Sequence, residues 1–167
     1  MKTATEDESG EHPCGDLGQV ICLAAFMAVW ILDTFYLGFS TFLARFVPLA
    51  VRLMMAGPAL LLSFYLVRAA HGVIAHGADR SPALIKDGAF ARLRHPLYGG
   101  SLLFYLSFVL ASFSLIAGAV LAGVFFFYNF IAAYEEEFLE RKYGSEYREY
   151  RRKVPRWLPR LRAVRFD

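Results

Sequence analysis

From position 98 to position 134 this 167-residue chain carries no charged residue. Nothing else constrains the fold as much. As one helix, residues 97–134 would run for about 57 Å at ~1.5 Å per residue. That overshoots a bilayer core of ~30 Å. A soluble domain of this length cannot cover so much apolar surface, since 57% of the residues are hydrophobic and 16 of them are Phe. The surplus must face lipid. The turn signal within the run is Ser112-Phe113-Ser114. We therefore read two membrane helices, 97–112 and 115–134, joined as a hairpin at those serines. Gly118 and Gly123 leave room for close helix packing there, though not at GxxxG spacing.

Two further apolar runs precede the hairpin. Residues 17–39 and 49–67 each suit the ~20 residues that cross a bilayer. Asp33 in the first and Arg52 in the second would sit at similar depth in an antiparallel pair, which predicts an ion pair between them. Gly57-Pro58 predicts a kink in the second span. Residues 1–16 form a polar leader with five acidic side chains against Lys2. A secretory signal is basic where this leader is acidic, so the first apolar run reads as a retained span. Behind the last span the helix runs on into EEEFLERKYGSEYREYRRKV, with Gly144 as a break, Ser145 as a cap and Trp157 as an interfacial anchor. The fold class is thus all-α: an integral membrane bundle of about four transmembrane helices, the last two a hairpin, with a helical C-terminal tail. Residues 17–167 form a single domain after the 1–16 leader.

The charge distribution orients that bundle. Lys and Arg number ten from Arg141 to Arg165 and five in the 68–96 loop, against two in the 40–52 connection. The positive-inside rule puts the N-terminus, the 68–96 loop and the tail together on the cytoplasmic side of an inner or endoplasmic-reticulum membrane. The basic tail follows membrane spans directly, which argues for lipid headgroups and against nucleic acid. Cys14 and Cys22 make no disulfide framework. His71 and His76 are five apart and lack a completing carboxylate or thiol, so no metal site is expected.

Three polar constellations lie on that one side. In residues 88–100, GAFARLRHPLYGG, Pro96 fits the first turn of a helix, Arg94 offers a planar fork for an anion and His95 titrates near neutrality. The residues alone read equally as a basic, proline-capped helix start or as half of a ligand site. Glu135-Glu136-Glu137 fan around a helix at ~100° intervals, so one or two face the bundle and the rest face water. From Tyr143 to Pro159, aromatic residues alternate with charges, as in an amphipathic interfacial helix.

Together, GxF-x₃-RHPxYxG, an apolar hairpin, and EExxL-x₄-G-x₂-Y-x₂-Y-x₃-VPR-x₂-P resemble the isoprenylcysteine carboxyl methyltransferase superfamily, which includes the phospholipid methyltransferases. The resemblance runs from Gly88 to Pro159. Phe90 stands where the family often has Tyr. It implies an all-helical membrane enzyme that moves a methyl group from S-adenosylmethionine to a hydrophobic or lipid-like acceptor, such as an isoprenylcysteine-type carboxylate. It further implies a cofactor pocket within 88–159, with His95, Tyr98, Gly100, Glu135, Glu136, Tyr147 and Pro155 at the cofactor. Arg94 and Glu136 would be the catalytic residues, with Arg94 towards the reacting centre. The expected partners are the acceptor and membrane lipid. A sterol-reductase-like protein with a nicotinamide cofactor has a related HPxY and tail pattern, and a lipid-binding membrane protein without activity is the non-enzymatic alternative.

Overall fold

A computed structural model of the chain describes residues 15–77, 84–160 and 163–164. Most of the polar leader, Cys14, Arg80, the Ser81-Pro82 turn and the side chain of His76 lie outside the described residues. Among those described, all regular structure is helical: α1 (Gly15–Ile31), α2 (Leu49–Gly77), α3 (Pro96–Ser112), α4 (Leu115–Tyr143) and α5 (Ser145–Lys153). A π turn, Leu32–Leu37, extends α1, and 3-10 turns cover Phe42–Arg45 and Gly88–Ala91.

Three stretches, Leu17–Leu37, Leu49–Val73 and Leu115–Tyr143, are long and apolar enough to cross a membrane, and α3 is a shorter apolar helix. Their apolar side chains point outward in numbers no water-soluble protein tolerates: Met54 is 76% exposed, Leu61 71% and Phe126 70%. That is the surface of a helical membrane bundle, whose outer face meets solvent as apolar as itself.

The hairpin turns where the serines predict. Ser112 ends α3, Phe113 adopts a left-handed φ of 53°, and Ser114 caps α4 by accepting from the Ala117 amide at 3.1 Å. A left-handed non-glycine residue costs about 1–2 kcal/mol, so the surroundings must hold it. They do so through Asp33. Its carboxylate takes the Ser114 hydroxyl at 2.5 Å, the Ser40 hydroxyl at 2.5 Å and the Ser40 amide at 3.0 Å.

This corrects the expected Asp33–Arg52 pair. Arg52 instead donates to the Ala111 carbonyl at 2.9 Å. Each charge answers a helix end: the cation meets the carbonyl end of α3, and the carboxylate meets the amide end of α4. Both placements suit the helix dipoles. Opposite sign and similar depth were not enough to pair the two, because orphan backbone groups at a buried turn compete for the same charges.

α2 continues helical through Pro58. The glycine expectation changes. A Cβ at Gly123 would meet nothing within 4 Å and one at Gly118 only Val109 at 3.7 Å, so neither marks a close crossing. The close crossing is at Gly100, where a Cβ would come 2.6 Å from Val67 and 3.2 Å from the Ser63 carbonyl of α2.

At the other end of the bundle the chain turns back over itself. Gly144, at φ 57°, ends α4 and begins α5, and Ser145 makes no side-chain cap. The 3.6-residue period of α5 buries Tyr147 and Tyr150, which pack with Val154, Leu84 and Leu139. Beyond α5 an extended strap lies along the loop before α3. The Arg94 amide donates to the Pro155 carbonyl, Arg160 to Arg92, and Val164 to Ala91, at 3.0–3.1 Å. The indole N–H of Trp157 donates inward to Asn129 at 3.1 Å.

Candidate functional site

The strap, the loop and the end of α4 meet at one cluster. Gly88, at φ 59°, opens the short turn that leads into the loop. Leu93 is fully buried and pins that loop to the bundle. His95 then sits at the N-cap of α3, and Pro96 opens the helix. α4 continues helical past Tyr134, so its carboxylates fan as their spacing predicts. Glu136 is buried (1% exposed), Glu135 is half-buried, and Glu137 faces out towards Arg141.

Glu136 is the centre of the charge cluster. Oε1 accepts from His95 Nε2 at 3.0 Å and from Arg156 Nε at 2.8 Å. Oε2 accepts from Arg156 Nη2 at 2.6 Å, and Arg94 Nη1 stands 2.9 Å away. Distance and direction disagree for Arg94. Its Nη1 is within ion-pair range, yet Nε and Nη1 are both buried without an aligned acceptor. We read this contact as electrostatic attraction only, because a guanidinium hydrogen bond weakens steeply off its N–H axis. Arg94 therefore keeps donors to offer.

Glu135 is less encumbered. It accepts the Tyr98 hydroxyl at 2.5 Å and lies 3.5 Å from His95 Nδ1. Both nitrogens of His95 thus face carboxylates. Burial pulls the imidazole pKa down, but the hydrogen bonds and charges of Glu135 and Glu136 outweigh it, and the pKa ends above its ordinary 6.5. Burial, with the nearby Glu136 charge adding, pushes the Tyr147 phenol up to about 12, so it stays a neutral donor.

Two hollows flank this cluster. A cleft of about 250 Å³ opens beside Arg94, His95 and Glu135 and is walled by Tyr143, Tyr147 and Tyr150. A groove of about 350 Å³ lies among α1, α2, α3 and α4, apolar except for Gln19, Ser63, Ser101, Tyr105 and Tyr128. Between them stand two rings. Tyr98 stacks on His95 at 5.6 Å and packs against Tyr128 at 5.2 Å. One tyrosine thus touches the polar cluster on one face and a groove-lining ring on the other.

The structure brings Arg94, His95, Tyr98, Glu135, Glu136 and Tyr147 together around the cleft. Pro155 contributes its carbonyl to the Arg94 amide, which holds the strap over the loop. Gly100 is elsewhere: it is buried against α2, and its carbonyl accepts the Ser63 hydroxyl at 2.7 Å. Two residues of the cluster escaped sequence reasoning. Arg156 was visible only as part of VPR. Asn129 was passed over within an apolar helix, although a lone amide seven residues before Glu136 falls on the same helical face. It accepts from Arg156 Nη1 at 3.0 Å and from Trp157. Among the described residues no three His, Cys, Asp or Glu side chains gather as a metal site.

The profile of one protein family, described as phospholipid methyltransferase, matches residues 47–146. That stretch begins just before α2 and ends at the start of α5, so it contains the loop, the hairpin and both carboxylates. No curated protein and no solved structure matches the chain.

Proposed function

The chain belongs to the phospholipid methyltransferase family of membrane methyltransferases, and on that premise we propose that it moves a methyl group from S-adenosylmethionine to a hydrophobic, lipid-like acceptor. The observation that carries this reading is a pair of hollows linked through Tyr98, whose ring contacts His95 of one and Tyr128 of the other. One is polar, aromatic and cluster-lined. The other is apolar and lies between membrane helices. A reaction between a charged cofactor and a lipid needs one of each, close together.

The residues of the cleft fit the cofactor. It carries a sulfonium, an ammonium and a carboxylate. Glu135 offers an anion at the cleft edge and the three tyrosines offer rings to a cation. Bound there, S-adenosylmethionine supplies a methyl group on a cationic sulfur. The chain supplies alignment and exclusion of water, which are what an in-line displacement needs most. α5 walls the cleft with Tyr147 and Tyr150, and the strap holds the loop beside it. Arg94 orients an anionic acceptor such as a carboxylate or phosphate. For an amine acceptor, His95 is a poor base, since both its nitrogens face carboxylates, and Glu135 takes the proton. The groove holds the apolar part of the acceptor, which enters sideways from lipid. The basic loop and tail favour a cytoplasmic position for the cleft.

Thermal unfolding in detergent tests the cofactor. S-adenosylhomocysteine at about 100 times its Kd adds ~2.7 kcal/mol of stability. No stabilisation by it, with stabilisation by NADPH instead, overturns the reading in favour of a reductase. Labelled methyl transfer into a membrane extract then identifies the acceptor.

A further inference from the structure

We propose that Arg156 is a positioning residue of this site, a fork that sets the Glu136 carboxylate and, through it, His95. The inference rests on the reading of the cleft as the cofactor site for its functional meaning, but its geometry stands without it. Arg156 spends three of its donors on α4. Nε and Nη2 take the two oxygens of Glu136 at 2.8 and 2.6 Å, and Nη1 takes Asn129 at 3.0 Å. Glu136 and Asn129 are seven residues apart, two turns along one face, and a planar guanidinium spans them as a lysine ammonium cannot.

The consequence is that Glu136 has no oxygen to spare. Each oxygen already faces two cations. A carboxylate so enclosed does not bind the cofactor itself. It organises the groups that line the cleft, and the carboxylate open to a ligand is Glu135. Arg156 comes from the strap, and its neighbour Trp157 shares Asn129 with it. The same side chain therefore closes the tail and fixes the cluster, so the site is complete only when the strap is down.

His95 reports on this arrangement. The ionisable groups around it are Glu135 and Glu136 of α4, Tyr98 of α3, Arg94 beside it, and Arg156 of the strap. Tyr147 and Arg151 of α5 act through Glu136. Removing Arg156 takes away a cation and leaves Glu136 less neutralised. Both changes favour the protonated imidazole.

The test is a double-mutant cycle read on the His95 imidazole by NMR in detergent, with the signal assigned by His95→Gln. Arg156→Gln should raise the His95 midpoint by about one pH unit, and the same change in a Glu136→Gln background should raise it much less. Arg156→Lys keeps the charge without the fork and should give an intermediate shift; a midpoint unchanged from wild type would mean that the charge alone acts and counts against the fork. Equal shifts in both backgrounds, or none, overturn the proposal, because a residue that merely holds the tail acts independently of Glu136. Affinity for S-adenosylhomocysteine, measured on the same variants, should fall about tenfold for Arg156→Gln, and little further when Glu136→Gln is added. If the wild-type protein binds no S-adenosylhomocysteine, the functional reading fails while the imidazole titration still decides the role of Arg156.

Discussion

Glu136 and Arg94 touch, yet removing each should have different consequences. Glu136 neutralises His95, Arg94 and Arg156 within a buried cluster. Its loss leaves like charges facing one another, a change that costs about 3–5 kcal/mol when a buried partner is removed. Glu136→Ala should therefore abolish methyl transfer and also lower the unfolding temperature. Arg94 has buried donors with no aligned acceptor. Arg94→Ala should abolish methyl transfer while unfolding stays close to wild type, and a large stability loss would mean that its contact with Glu136 is a true hydrogen bond. His95 gives a pH signature. Its folded pKa lies above the ordinary 6.5 of the free side chain. The stability it contributes is thus complete below that value and fades as pH rises through the folded pKa. The unfolding temperature should fall across that interval, and in His95→Gln this component of the fall should vanish.

The helices were legible because their signals are strong and local. The apolar runs, the Ser112–Ser114 turn, Pro96 as a helix start and the fanning of the three glutamates all follow from period and residue type. The pairing of charges was not legible. Asp33 and Arg52 looked complementary to each other, but each found another partner at the hairpin turn, Asp33 the capping hydroxyl of Ser114 and Arg52 the Ala111 carbonyl, and such partners emerge only once the turn exists. Their double mutant should be additive within about 0.5 kcal/mol. Glycine spacing misled for a related reason. Gly118 and Gly123 sit in a helix that does not cross closely there, whereas Gly100 does. Gly100→Ala should destabilise the bundle measurably and Gly123→Ala should not, with thermal unfolding in detergent as the measurement.

At the scale of the molecule, the site was half legible. His95, Tyr98, Glu135 and Glu136 stood out as polar residues beside apolar runs. Arg156 and Asn129 did not: the resemblance in VPR-x₂-P implied that the tail reaches the pocket, but not which side chains of α4 it would meet there. The path itself can be tested. A chain ending after Lys153 lacks Arg156, Trp157 and the backbone bonds to the loop. It should still insert and keep its helicity by circular dichroism, yet lose stabilisation by S-adenosylhomocysteine.

α4 is one unbroken rod from Leu115 to Tyr143. Asp33 grips it through the cap at Ser114, and Arg156 grips it at Glu136. The two grips are about 33 Å apart at ~1.5 Å per residue. The angular phase of the glutamates is therefore set by counting from the far side of the bilayer. One residue inserted between Tyr128 and Glu135 would swing the carboxylates by about 100° and put Glu135 where Glu136 now stands. A whole added turn would almost restore their bearing while lifting them ~5.4 Å out of reach of His95. The rod thus acts as a gauge, tying the depth of the turn at one surface to the register of the chemistry at the other.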